Sequence, residues 1–253
     1  MTIGDYDAFV IDLDGVVWRG DLVLPGVIEA LTAIRQKGAA ILLLTNNPHH
    51  SPESVVERLG ALGFELQQEE VLNTLGVVRD VLTEQGLVGK PTLVLGPDEI
   101  EGQLRDWLAI VDIGTPPDVV IAGRYVGLTY SNLALASDAI REGAFFIALN
   151  RDPVLPVEHG YLPGAGAIIA ALEVASGVAP LVIGKPYAPM MNAARSRVGQ
   201  RRVLMIGDRT DTDIAGAITM GWDSVLVGAY VDGPRPTFQV DSLAEAVSMD
   251  TTG

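Results

Sequence analysis

Short, almost wholly apolar runs recur along the chain at residues 8–11, 40–44, 92–95, 119–121, 145–148 and 203–206. Each is too short for a buried helix and lacks strict alternation, so each reads as a strand buried on both faces. Between them the spacing changes to that of amphipathic helices. Val27, Ala30, Leu31 and Ile34 follow the turn Pro25-Gly26 at helical intervals, and Gly38 marks where that helix ends. Ser51-Pro52-Glu53 opens a second helix with Val55, Leu59 and Leu62 on one face. Residues 73–85 predict a third helix, leading out of the first domain, and residues 167–176 an apolar one after the Gly/Pro-rich stretch 160–166. A last strand is expected near Val225. Strands alternating with helices predict parallel α/β sheets in both parts of the chain.

Composition narrows the class. The chain has 253 residues, a formal charge of −15 and no cysteine. Disulfides and thiolate metal sites are excluded. No apolar run approaches the ~18–20 residues that span a bilayer. Met1-Thr2-Ile3-Gly4-Asp5 lacks the basic and apolar regions of a signal peptide. The expectation is a soluble, cytoplasmic protein with no membrane partner. Strong acidity argues against nucleic acid as a partner. It does not exclude a small anionic substrate, because exposed charges are screened over roughly 8 Å at physiological salt.

Four strand ends concentrate the candidate chemistry. The first run ends in Asp12-Leu13-Asp14-Gly15. Residues i and i+2 of a strand point to one side, so both carboxylates can face one site. Such a pair is costly unless a cation neutralises it or one member stays protonated. One carboxylate can then attack while the other shuttles a proton. A calcium loop of the EF-hand kind is excluded, since Gly15 stands fourth, Val16 fifth, and a strand precedes. The second run ends in Thr45-Asn46-Asn47, the third (Leu181-Val182-Ile183-Gly184) in Lys185-Pro186, and the fourth in Gly207-Asp208-Arg209-Thr210-Asp211-Thr212-Asp213. Each has a plainer use: a helix cap for 45–47, a solvated loop lysine, an N-terminal cap by Asp213. Together, at the carboxyl edge where open parallel sheets bind ligands, they form a set suited to Mg²⁺ and a phosphate.

In this order the four segments resemble the haloacid dehalogenase-like (HAD) superfamily. Residues 118–123, Leu128-Thr129-Tyr130, 143–152 and 163–167 resemble its NagD / 4-nitrophenylphosphatase-like branch, from about Tyr6 to about Val247. The resemblance implies a Rossmann-like parallel-sheet core with an inserted α/β cap of type IIA. The core would be residues 1–76 and 183–253, the cap 77–182. It implies a Mg²⁺-dependent phosphomonoesterase with Asp12 as nucleophile, forming an aspartyl phosphate, and Asp14 as general acid and then base. Thr45 and the Asn46 backbone, with Gly15 and Asn47 nearby, would hold the phosphoryl group, and Lys185 would neutralise it. Mg²⁺ would be held by Asp12, the Asp14 carbonyl and Asp208, with Asp213 behind them; Asp211 matches a more variable position. In the cap, Asn150 and Asp152 match the branch and are candidate substrate contacts.

Two departures stand out. Gly123-Arg124-Tyr125 replaces a common Gly-x-Asp, and Pro48-His49-His50 follows the amides where Ser is common. Pro48 reads as a helix start, and the two histidines as solvated loop residues within reach of substrate. Arg124, Tyr125, Arg151, Asp152 and His159 are the cap's candidates for substrate choice. Residues 164–170 imitate a dinucleotide fingerprint but follow no buried strand, so they read as a loop before a helix. The expected substrate is a small phosphate ester: nucleotide, sugar, glycerol or pyridoxal phosphate, with p-nitrophenyl phosphate as a generic one. A HAD phosphotransferase, a receiver-like regulator and a non-catalytic phosphate-ester-binding protein stay open as alternatives. The cap also offers a surface for a homodimer.

Overall fold

A computed structural model of the protein describes residues 3–112, 114–156 and 160–248. His159 lies outside the described residues. The chain divides into two compact units, residues 1–73 with 185–253, and residues 74–184.

Among the described residues, the first unit is built on a six-stranded sheet. Its order is Phe238–Val240, Asp223–Val227, Val203–Gly207, Ala8–Asp12, Ala40–Leu44 and Val71–Leu72. Every pairing is parallel. Ala8–Asp12 is buried along its whole length, which is why it carries no alternation in sequence. From this strand the chain first builds outward through Ala40–Leu44, then returns to build the other side from Val203–Gly207. Ala8–Asp12 is therefore the topological switch point, and the crevice beyond its carboxyl end is where such sheets bind ligands.

The core on one face joins Phe9, Ile11, Leu13, Trp18, Leu31, Ile34 and Leu43. Full burial of each such side chain contributes on the order of 1.5–3 kcal/mol. The helix Val27–Gln36 turns Val27, Ala30, Leu31 and Ile34 inward, as its spacing predicts. The helix Pro52–Gly60 is capped by Ser51, whose Oγ accepts from the Ser54 amide at 3.2 Å. Thr45-Asn46-Asn47 is therefore not the cap of that helix, and Pro48 lies in a turn before it rather than at its start.

The second unit has its own five-stranded parallel sheet, in the order Leu181–Val182, Phe145–Ala148, Val119–Ala122, Pro91–Leu95 and Ala109–Ile110. Helices Tyr130–Arg141 and Ala165–Ser176 bury Ala136, Ile140, Ile169 and Leu172 with Val120, Ala122, Phe146 and Ala148. An antiparallel hairpin, Val154–Pro156 with Tyr161–Pro163, precedes the second of these helices. The strand before Lys185 is shorter than the expected 181–184 and spans Leu181–Val182. That strand pairs with Phe145–Ala148, and the Ile183 and Gly184 amides continue the ladder onto Ala148 and Leu149 carbonyls. Both sheets are parallel, so the protein is an α/β fold of Rossmann-like type. Among the described residues, no helix is long and apolar enough to cross a membrane.

Candidate active site

Three strand ends of the first unit converge at the switch point. Ala8–Asp12 delivers Asp12 at its last residue and Asp14 two residues on. Ala40–Leu44 delivers Thr45, and Val203–Gly207 delivers Asp208. Lys185 arrives from the connection between the units, and the Asn46 side chain holds it there. Asn46 Nδ2 donates to the Lys185 carbonyl at 3.1 Å, and Asn46 Oδ1 accepts from the Lys185 amide at 2.6 Å. This two-way clasp fastens a lysine that no strand of the first sheet positions.

The Lys185 side chain is buried, and its ammonium has three acceptors. Asp12 Oδ1 lies at 2.5 Å, the Leu44 carbonyl at 3.1 Å and Asp213 Oδ1 at 2.7 Å. The Asp213 contact is an ion pair without hydrogen-bond alignment. Asp213 Oδ2 accepts from the Arg209 amide at 3.1 Å, so Asp213 also fixes the acidic loop, but among the described residues neither the Thr210–Ile214 turn nor the helix Ala215–Met220 has a side-chain cap, so Asp213 is not the N-terminal cap expected of it. That loop is a π-helical turn, Thr210–Ile214, which winds Asp213 inward beneath Asp208. Asp211 faces outward instead and pairs with Arg209 at 2.7 Å.

Two glycines allow this convergence. Gly15 has φ +92°, and a Cβ there would stand 2.1 Å from Asp208 Oδ2. A Cβ on Gly207 would stand 2.2 Å from Asp213 Cβ. Side chains at either position would occupy the space the carboxylates fill.

Asp12, Asp208 and Asp213 each present one carboxylate oxygen, and these lie within 4.8 Å of one another. One ammonium faces three carboxylates, which leaves the cluster with excess negative charge. Its acids respond accordingly. Burial pushes Asp12 well above the usual carboxylate range; Lys185 draws it back, while Asp213 and Asp208 push it further up. Asp208 is pushed up to about 6, by burial first and then by Asp213, against the pull of Lys185 and Arg209. Burial disfavours the Lys185 cation, yet Asp12 and Asp213 outweigh it and raise its pKa. Asp208 Oδ1 is buried without a hydrogen-bond partner among the described residues. Raised carboxyls and an orphaned oxygen are what a hard cation would relieve.

Asp14 stands apart from that cluster. Its Oδ1 receives the Trp18 indole N–H at 3.1 Å and lies 3.1 Å from His50 Nε2; its Oδ2 lies 3.4 Å from Asn47 Nδ2. Burial would raise its pKa, but the bond and charge of His50, then Trp18 and Asn47, more than offset this and hold it low. Thr45 is buried, and its Oγ1 accepts from the Asn47 amide at 2.9 Å, closing a tight turn whose backbone faces the same crevice end. Trp18 and His50 were not expected here as partners of Asp14. His50 is marked in the sequence only as a departure, and Trp18 carries no signal in the pattern.

Asn150 and Asp152 belong to the second unit. Asn150 is buried and its Oδ1 accepts from the Asp152 amide at 3.2 Å. The Asp152 carbonyl in turn accepts from the Gly166 amide at 2.9 Å, which seats this loop on the start of helix Ala165–Ser176. Arg151 pairs with Glu173 of that helix. Tyr125 packs against the apolar core of the second unit, and Arg124 is half-buried beside it.

Known proteins share this framework. Residues 9–107 match a family described as haloacid dehalogenase-like hydrolase, and residues 182–246 match one described as HAD-hydrolase-like. The chain is 36% identical over 228 residues to a D-glycerol 3-phosphate phosphatase of Mycobacterium tuberculosis, covering 88% of this chain and 63% of that protein. It thus spans less than two thirds of the mycobacterial relative. It is 33% identical over 253 residues to an acid sugar phosphatase of Staphylococcus aureus, covering 96% of this chain and 97% of the other. Among solved structures, a p-nitrophenyl phosphatase from Archaeoglobus fulgidus superposes with a TM-score of 0.87 at 27% identity, covering 96% and 98% of the two chains. The M. tuberculosis glycerol phosphate phosphatase, solved in complex with magnesium, superposes with a TM-score of 0.83 at 34% identity, covering 99% of this chain and 79% of that one. With two family matches and 33% identity over nearly the whole of the staphylococcal relative, the chain belongs to the haloacid dehalogenase-like hydrolases.

Proposed function

We propose that this protein is a Mg²⁺-dependent phosphomonoesterase that works through a phosphorylated Asp12. The observation that carries the reading is the buried set of Asp12, Lys185, Asp208 and Asp213 at the switch point. Its excess negative charge and the orphaned Asp208 Oδ1 fit a hard divalent cation with oxygen ligands. Asp12, the Asp14 carbonyl and Asp208 would hold the ion, with Asp213 bracing them. When bound, it neutralises negative charge on the carboxylates and on a phosphate, so that anion can approach anion.

The remaining chemistry belongs to the chain. An Asp12 oxygen attacks phosphorus and forms the new P–O bond as the bond to the ester oxygen breaks. The ester oxygen leaves with its electron pair and takes a proton from Asp14. Lys185, held by Asp12 and Asp213, keeps a fixed positive charge beside the nucleophile and the phosphoryl oxygens. The turn of Thr45, Asn46 and Asn47 offers a hydroxyl and amide donors to the same oxygens. Asp14, now ionised, takes a proton from water as that water attacks the aspartyl phosphate and restores Asp12.

We assign residues 74–184 as the family's inserted cap. The names of the relatives make glycerol and sugar phosphates the first esters to screen. Phosphate release from p-nitrophenyl phosphate tests the reading. Turnover should need Mg²⁺, stop with EDTA and vanish in Asp12→Asn. Substantial turnover in purified Asp12→Asn would refute it. A receiver-like or binding role would instead show folded, metal-loaded protein without phosphate release, and a transferase would show phosphoryl transfer to added alcohols exceeding transfer to water.

A further inference from the structure

Asp14 needs to present one oxygen to a leaving group while its own side chain stays aimed. The two oxygens of this carboxylate have very different surroundings. Oδ1 is shared by two ring nitrogens, Trp18 Nε1 and His50 Nε2, each at 3.1 Å. Among the described residues, Oδ2 has only the Asn47 amide, at 3.4 Å, beyond the usual range for a strong N–H···O bond. The Asp14 side chain is 47% exposed, so the carboxylate is not sealed by its partners.

The two rings are themselves fixed in a stack. Trp18 is fully buried, and the His50 ring meets it edge-on, with centroids 4.9 Å apart at 63°. The Arg58 guanidinium covers the Trp18 ring at 4.2 Å and is tied to the Gly20 carbonyl at 2.9 Å. The backbone at His50 is pinned from another direction, since its carbonyl accepts from Asn73 Nδ2 at 3.0 Å. The rings therefore present a rigid pair of N–H groups to one oxygen.

We infer that His50 and Trp18 are positioning residues that anchor Asp14 through Oδ1 and reserve Oδ2 for proton exchange with the ester oxygen and then with water. The inference rests on the phosphatase reading above. Oδ2 acquires its proton beside the bound phosphate anion, whose charge favours the neutral carboxyl against the two donors on Oδ1; in the first step that proton goes to the ester oxygen, which departs with the electron pair of the broken P–O bond. In the second step Oδ2 takes a proton from the attacking water. Rotation about the carboxylate is prevented throughout, so the same oxygen serves both steps. His50 thus occupies a different place from the solvated loop histidine that its sequence context predicts.

The test compares p-nitrophenyl phosphate, whose leaving group needs no proton, with phenyl phosphate, whose leaving group benefits from one. The quantity read is kcat/KM, which covers the steps up to departure of the phenol. In His50→Ala it should fall about tenfold for phenyl phosphate, a part of the 10²–10⁴ that full proton transfer supplies, and less than about twofold for p-nitrophenyl phosphate. His50→Gln, which keeps a donor, should recover most of the loss. Trp18→Phe keeps the stack against His50 and Arg58 but removes the indole N–H, and should show the same selectivity. It serves as the reading should His50→Ala fail to fold. Asp14→Asn and Asp12→Asn are measured in parallel. If Asp14→Asn is selective but the His50 and Trp18 variants lose both esters equally, or lose neither, the anchor is refuted and the phosphatase reading survives. If Asp14→Asn shows no selectivity, or Asp12→Asn keeps turnover, the phosphatase reading fails and takes the anchor with it.

Discussion

Replacing Asp208 by Asn should make the metal-free protein more stable at neutral pH, although it removes a residue of the central site. The sign follows from the carboxyl's raised pKa. Asp208 titrates near 3.8 in an unfolded chain and at about 6 in the fold. Below pH 3.8 both states are protonated and the group is neutral in its effect. Between 3.8 and about 6 the folded form keeps a proton that the unfolded form has released, so stability falls as pH rises through that window. Above it the folded protein bears an ionised carboxylate that it holds unfavourably. Each pKa unit corresponds to about 1.4 kcal/mol, so the shift from 3.8 to about 6 amounts to about 3 kcal/mol at pH 7.5. Asparagine keeps the shape and removes the charge. Urea unfolding in EDTA, from pH 4 to 7.5, should show Asp208→Asn gaining on the natural protein as pH rises, by up to about 3 kcal/mol. Mg²⁺ at a thousandfold excess over Kd should reverse the ranking, since it adds about 4.1 kcal/mol to a protein that binds and little to one that does not. A difference between the two proteins that is flat with pH, or an Asp208→Asn that is less stable at pH 7.5 without metal, would refute the charge balance assigned to this cluster.

Other perturbations separate the parts of the site. Lys185→Met should abolish turnover and cost about 3–5 kcal/mol at neutral pH, because it strands buried carboxylates; unfolding free energies should show the loss shrinking as acidification protonates Asp12 and Asp208. Asn46→Ala should cost about 1–3 kcal/mol by releasing both backbone groups of Lys185, and should lower kcat for every ester to a similar extent, as steady-state kinetics would show. Gly15→Ala should prevent Mg²⁺ from raising the melting temperature, since its Cβ meets Asp208 Oδ2 and its φ is +92°; an unaltered Mg²⁺ response in a thermal melt would contradict that geometry.

Much of the site was legible because each part is an apolar run followed at once by polar residues. Asp12, Asp14, Thr45 and Asp208 lie where a strand leaves the core, but strand alternation stops at Asp12, so Asp14 turns away from the cluster to Trp18 and His50. Ser51 as the cap of its helix was equally plain, because Ser-Pro-Glu has no other common use before an amphipathic run. The strand before Lys185 is legible as an apolar run, but its partner sheet is not. An apolar run announces a strand but not the sheet it joins, and Leu181–Val182 joins the sheet of the second unit. What brings Lys185 to Asp12 is the Asn46 clasp, a contact between residues 139 positions apart. The Trp18 and His50 partners of Asp14 were hidden for a related reason. Trp18 sits in a two-residue strand, Trp18–Arg19 paired with Leu22–Val23, too short to leave a period. The turn of Thr45 to His50 is held by side-chain bonds to its own backbone rather than by a repeating pattern.

The most direct measurement is rapid acid quench of the enzyme during turnover of p-nitrophenyl phosphate with Mg²⁺, followed by peptide mass analysis. The account predicts one added phosphoryl group, labile to hydroxylamine, on the peptide containing Asp12, and its absence in Asp12→Asn. Sustained phosphate release with that peptide unmodified at every quench time, or with the phosphoryl group on another residue, would contradict Asp12 as the nucleophile.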